Sequence, residues 1–262
     1  MQFSYRKDYE EIIYEKGNHI AQITMNRPQV VNAWGTKFSP EFYEAICDAT
    51  ADNSIGVIVL TGAGKNFSSG LDMRVAQSMI ASSSSMQRDN FVAIRDCFKP
   101  TIAAVRGWCV GGANVMAAEC DLTIASETAR FMQVGPRVGS FNALGCGYMA
   151  RLVGIKKAKE FWFLCRPYSA QEALEMGLVN KVVPDEKLEE EVEAWCQDIL
   201  KLSPTALKII KGHFQADSEH YVGLWNLSAD TLKLFEHNPE VAEGANAFLE
   251  KREPDFWKFY ET

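Results

Sequence analysis

Thr101-Ile102-Ala103-Ala104-Val105-Arg106-Gly107-Trp108-Cys109-Val110-Gly111-Gly112-Ala113-Asn114 runs from a short apolar stretch through a glycine turn into a helix start. An earlier segment repeats the plan: Gly56-Val57-Ile58-Val59-Leu60-Thr61-Gly62 reads as a strand, and Phe67-Ser68-Ser69-Gly70-Leu71-Asp72-Met73 follows it. Glycine lets a backbone come close to a ligand, and the first N–H groups of a helix have no internal partner. Two such turns facing one another would aim two free N–H groups at one oxygen, as an oxyanion hole requires.

Working outward, Ile12–Lys16, His19–Met25 and Val57–Leu60 are short and rich in β-branched residues, and are expected to be strands. Ser39-Pro40 opens a stretch of helical apolar spacing, with Ser39 as the expected cap. Strands alternating with helices define an α/β class. Beyond Val153 helices dominate. Ser169-Ala170-Gln171-Glu172 reads as a capping box with Gly177 as the stop, and Leu178–Val183 as a short strand. Asp185–Lys201 has amphipathic helical spacing, Ser203-Pro204 caps the next helix, and Thr231–Tyr260 is expected to be largely helical. The polar run Ala81–Ser85 is expected to cover a site. No flexible linker divides the chain. The expected division is an α/β core over residues 1–195 and a helical region over 196–262.

Bulk properties narrow the function classes. The 262 residues, 47% of them hydrophobic, can bury one substantial core, and the formal charge of -7 argues against a nucleic-acid or anionic-membrane surface. Seven cysteines include no CxxC pair and no histidine at metal-ligand spacing, so no metal is expected. This usage fits a reducing, cytoplasmic setting, and no apolar run is long enough to span a bilayer.

Phe67–Met73 and Gly107–Asp121 resemble the paired signatures of the crotonase (enoyl-CoA hydratase/isomerase) superfamily, as do Met25-Asn26-Arg27-Pro28 and Asn32-Ala33. Gln133–Phe141, Phe161–Arg166 and Lys251–Phe256 resemble two branches in particular: dihydroxynaphthoyl-CoA synthases and 2-ketocyclohexanecarboxyl-CoA hydrolases. The resemblance implies a core of repeated ββα units with a C-terminal helical region that builds homo-trimers or hexamers. It also implies an acyl-CoA substrate, with CoA entering as part of that substrate and no tightly bound cofactor. The oxyanion donors would be the N–H groups of Leu71 and Gly112. Arg27, Val31, Ala33, Ser68, Ser69 and Gly70 match stretches that cradle CoA, Phe248 and Lys251 would add contacts to its adenine and phosphate, and Asp72 would hold its turn.

Proton-transfer positions depart from the family pattern. The two glutamates of family hydratases fall on Val115 and Gly135, and neither side chain can move a proton. Gly135 matches synthases in which bicarbonate stands in for a carboxylate. Gln133 and Trp162 match residues that hold that anion, while Val134 replaces a threonine. Ser140 matches a serine that hydrogen-bonds a reacting oxygen. Asn142 replaces a catalytic aspartate, and Glu236 falls where the synthases carry a tyrosine. An amide cannot act as a base near neutral pH, so Glu236 becomes the candidate base.

Three functions follow as expectations. The first is hydrolytic carbon–carbon cleavage of a cyclic β-oxoacyl-CoA, making the protein a hydrolase or lyase. The second is hydration, isomerisation or synthase-like ring closure on the same fold. The third is a non-catalytic relative that binds acyl-CoA or RNA, against which the acidic balance speaks.

Overall fold

A computed structural model describes residues 1–74, 89–141, 145–235 and 237–260. The Ala81–Ser85 run, Asn142 and Glu236 lie outside the described residues. The strands are β1 (Tyr5–Asp8), β2 (Ile12–Gly17), β3 (Ile20–Met25), β4 (Val57–Gly62), β5 (Thr101–Val105), β6 (Trp108–Val110), β7 (Leu122–Ser126), β8 (Arg130–Met132), β9 (Tyr168–Ser169) and β10 (Lys181–Val183). Among the described residues they form a seven-stranded sheet in the order β1-β2-β3-β4-β5-β7-β10 and a three-stranded sheet, β6-β8-β9. The first two pairings of the large sheet are antiparallel, and β3 through β10 run parallel.

Alternation along each parallel strand sends side chains to two separate apolar layers. Ile58, Leu60, Ala103 and Val105 face the larger layer, which also takes Phe38, Phe42 and Ile46 from helix α1 (Phe38–Ala51). Val57, Val59, Ile102 and Ala104 face the other, covered by Leu188, Val192 and Cys196 of the helix Leu188–Leu200. Those three recur every four residues, one helical stripe. Each fully buried valine stabilises the sheet by roughly 1.5–3 kcal/mol. Helix Leu188–Leu200 runs across residue 195, so its apolar stripe ties the expected boundary to the sheet.

Residues 89–96 are helical. Helix α2 (Gly112–Glu119) follows the second glycine turn, and α3 (Cys146–Val153) and α4 (Ile155–Leu164) lie beyond the small sheet. The chain continues through α5 (Ala170–Glu175), α6 (Leu188–Leu200), α7 (Pro204–Asp217), α8 (His220–Phe235) and α9 (Pro239–Glu250). The Ser169 capping box forms in full, and Ser203 accepts from Ala206 N–H at the start of α7. Two local expectations need correction. Helix α1 begins after Lys37, with Ser39 inside it and no side-chain cap, because Phe38 is already packed in the core. The strand expected from Leu178 is only Lys181–Val183, since Leu178 and Val179 N–H groups both turn back to Ala173 O. No described helix is long and apolar enough to cross a membrane.

Candidate active site

The loop after β4 is held from one side by Asn32. Its Nδ2 donates to Ala63 O (3.0 Å), Asn66 O (2.8 Å) and Phe67 O (3.2 Å), and its Oδ1 accepts from Arg27 N–H at 3.0 Å. The side chain is buried, so one amide fixes three carbonyls that would otherwise lack donors. From the other side, Ser68 bridges Cys109 of β6: Ser68 N–H donates to Trp108 O and Val110 N–H to Ser68 O, both at 2.9 Å. The two glycine turns are therefore bound directly to one another.

Around the first turn nearly every N–H is spent. Ser69 donates to Val31 O, Gly70 to Ser68 Oγ, and Asp72 to Trp34 O, while Trp34 N–H donates to Gly70 O at 2.7 Å. Among the described residues nothing accepts from Leu71 N–H. At the second turn Gly111 N–H goes to Met132 O, and Val115 N–H closes the first α-helical bond to Gly111 O. Gly112 is the first residue of α2, and its N–H likewise has no described acceptor. Gly70 has φ +77, where a side chain would be strained. A Cβ on Gly112 would lie 2.6 Å from the ring of Trp34, which itself stacks on Phe38 at 4.6 Å. Trp34 thus packs against the turn and keeps water from its back.

Both turns open into one cavity of about 910 Å³. Its walls include Leu71, Gly112, Val31, Ala33, Ser69, Asp72, Gly135, Ser140, Phe248 and Lys251, all read from the sequence as site residues. Ser140 is set by the turn Pro136–Val138, whose return bond runs from Ser140 N–H to Gly135 O at 2.9 Å. Helix α9 supplies Val241, Ala245 and Phe248 to the opposite wall, and α8 supplies Ser228 and Leu232. Trp34, Arg74, Met132, Arg137 and Phe141 also line it and were not singled out from the sequence. For Trp34 and Arg74 the available signal was adjacency to the quoted motifs.

Other sequence candidates lie behind the wall. Arg27 donates to Ala33 O at 2.7 Å and pairs with Asp72 at 3.3 Å and Glu11 at 3.9 Å, bracing the loop instead of lining the cavity. Ser68 and Gly70 shape the turn from beneath it. Gln133 is wholly buried and donates from Nε2 to Gly111 O at 3.3 Å, and Trp162 is buried in the core. Val115 is also a core residue, packed toward Gly145.

The charges at the wall are mostly paired. Asp72 accepts from Arg74 Nε (2.8 Å), Nη2 (2.6 Å) and backbone N–H (3.1 Å), and the Arg74 guanidinium holds its carboxyl below the usual range. It is an acceptor already engaged, unsuited to taking a proton near neutral pH. Arg252 is paired with Glu243 and Glu250, whereas Arg137 and Lys251 form no ion pair with a described residue. Among the described residues the cavity therefore combines apolar walls, two N–H donors without acceptors and two cations without an ion-pair partner, which suits an acyl thioester on a polyanionic carrier.

Comparison with known proteins agrees with this class. The family model for enoyl-CoA hydratase/isomerase matches residues 15–258. The chain belongs to that family, within the crotonase superfamily, and is an acyl-CoA-transforming enzyme. It is similar to an enoyl-CoA hydratase structure from Mycobacterium avium subsp. paratuberculosis K-10, with TM-score 0.88 and 26% identity over 95% of this chain and 99% of that one. A probable enoyl-CoA hydratase from Mycobacterium thermoresistibile is 32% identical, with TM-score 0.78 and coverage of 89% and 99%. A methylmalonyl-CoA decarboxylase in complex with 2-nitronate-propionyl-CoA is 28% identical, with TM-score 0.82 and coverage of 95% and 99%.

Proposed function

We propose that the protein cleaves a cyclic β-oxoacyl-CoA hydrolytically through a thioester enolate held by the N–H groups of Leu71 and Gly112. The observation that carries this reading is the pair of unspent donors opening into a cavity that also holds Ser140. Water attacks the β-ketone carbon, polarised by Ser140 Oγ, and the bond from that carbon to the α-carbon breaks. Its electrons pass into the thioester enolate, one proton of the water ends on the α-carbon, and the other is released to solvent as the ketone carbon becomes a carboxylate. CoA remains attached. Two donors on the enolate oxygen lower the barrier by about 3–4 kcal/mol each.

Two residues argue against hydration by paired glutamates: Val115 is a core side chain and Gly135 bears none. Proton transfer is assigned to Glu236 on sequence position, with bicarbonate near Gly135 as the alternative base. The decarboxylase relative, a complex with 2-nitronate-propionyl-CoA, supports the enolate step, because a nitronate is planar and anionic like an enolate. The exposed apolar residues Ile210, Phe214, Leu227 and Leu234 on α7 and α8 support assembly into trimers or hexamers.

The test is incubation with 2-oxocyclohexanecarbonyl-CoA, cyclohexenecarbonyl-CoA and succinylbenzoyl-CoA, followed by mass spectrometry. Gain of water by the first, with loss of its ketone and retention of CoA, is the expected result. Water gain by the enoyl thioester would favour hydration, water loss by succinylbenzoyl-CoA would favour ring closure, and binding without change would favour a non-catalytic role.

A further inference from the structure

We propose that Glu119 works as a positioning residue in its neutral acid form, and that its ionisation loosens the seat of the helix whose first residue, Gly112, presents the oxyanion donor. This rests on the enolate-holding role given to Gly112. Glu119 is the last residue of α2 and is only 4% exposed. Among the described residues neither carboxyl oxygen has a hydrogen-bond partner. A carboxylate left in that state is far more costly than a neutral acid of the same shape. Its place at a helix C-terminus, where the backbone dipole is negative, disfavours the charge further.

The neighbours do not supply the missing compensation. The attractive charge acting on Glu119 is Arg95, from the helical residues 89–96, and Asp96 beside it is repulsive. Arg95 is committed elsewhere: Nη1 donates to Asp96 at 2.9 Å, while Nη2 donates to Gln215 O (2.8 Å), Ser218 Oγ (3.3 Å) and Glu219 (3.3 Å). Its Nε is buried without an acceptor among the described residues, and its guanidinium lies over the Trp225 ring of α8. Tyr148 of α3 and Cys120 next in sequence also feel Glu119, and burial keeps both in their neutral forms. Burial raises the Glu119 carboxyl to about 8, from an ordinary value of 4.5.

The consequence for function follows from the length of α2. Gly112 and Glu119 are seven residues apart, two turns and about 10 Å, and fall on nearly the same face of the helix. Val115 lies between them on that side, so the acid sits beyond the core and outside the cavity lining. Glu119 therefore cannot exchange protons with a substrate at the donors, but it can set the tilt of the helix that carries Gly112 N–H. Charging it draws in water or pulls Arg95 from α7, and either response shifts that end of α2.

The test compares wild type with Glu119→Gln, which keeps shape and polarity but cannot ionise, and with Glu119→Met as a second neutral variant. Melting temperatures are measured from pH 5 to pH 9.5, together with kcat and KM on 2-oxocyclohexanecarbonyl-CoA. The expected result is that wild type loses stability progressively between about pH 5 and 8, while both variants lose much less. Wild-type kcat should fall about tenfold more than that of Glu119→Gln between pH 7.5 and 9, with KM little changed. Equal pH dependence in wild type and variants would overturn the proposal. So would a Glu119→Gln protein that is less stable at pH 9 than wild type, the mark of an ionised Glu119 paired with Arg95. If the thioester is not turned over, the proposed reaction fails, while the melting curves still decide the state of Glu119.

Discussion

Gly70 and Gly112 touch across the site: a Cβ on Gly70 would lie 3.2 Å from the Gly112 nitrogen and 2.8 Å from Val110 O. Gly70 thus leaves room for the backbone of the second turn, while Gly112 leaves room for the Trp34 ring. Gly70→Ala adds both a clash and a strained φ. It should lower stability by about 1–3 kcal/mol and depress kcat more than a loss of folded protein explains. Thermal melts alongside turnover per folded molecule would show it.

Gly112 can be tested with an internal control. Gly112→Ala and Gly112→Pro both push a Cβ into Trp34, and proline is tolerated at the first position of a helix. Only proline removes the N–H. Turnover of the proline variant should lie about 10²–10³-fold below that of the alanine variant. Circular dichroism must show both folded, and equal turnover in the two would remove this donor from the mechanism.

Asp72→Asn probes the brace beneath Leu71. The carboxylate accepts three hydrogen bonds from Arg74 and pairs with Arg27. Its carboxyl titrates below the ordinary 3.8, so the native state holds fewer protons than the unfolded chain at acid pH. The stability it contributes is full above about pH 4 and is lost as pH falls through the lowered native value. At pH 7 the variant should be about 1.5–3 kcal/mol less stable, and the gap should close below pH 3.8 in pH-dependent urea unfolding.

Glu236→Gln separates the two candidate bases. If Glu236 takes the water proton, turnover should fall by about two to four powers of ten while thioester affinity, measured by calorimetry, survives. If an anion near Gly135 is the base, added bicarbonate should raise activity and the substitution should matter little. Full activity with no bicarbonate response would dismiss both.

What the sequence showed and hid follows from the range of each interaction. Ser169 with Glu172 and Ser203 with Ala206 are contacts three residues apart, and they were legible. The strand–turn–helix units around Leu71 and Gly112 carried their own glycine signals. Arg27 was read as a ligand contact, yet its partners are Ala33, Asp72 and Glu11, and only the folded chain brings Asp72 alongside. Trp34 gave no sign of packing on Gly112, since nearly eighty residues separate them. Glu119 was not singled out from the sequence, because its burial is set by the folded chain, where it comes under the influence of Arg95 and Tyr148 from distant segments.

The central claim is that water enters at a ketone carbon while the thioester survives. Incubating the protein with 2-oxocyclohexanecarbonyl-CoA in ¹⁸O-labelled water, followed by fragmentation mass spectrometry, tests it most directly. The expected product retains CoA and carries one ¹⁸O in a new carboxylate at the far end of an opened chain. Label in a hydroxyl on an intact ring, or release of free CoA with label in the adjoining carboxylate, would contradict it.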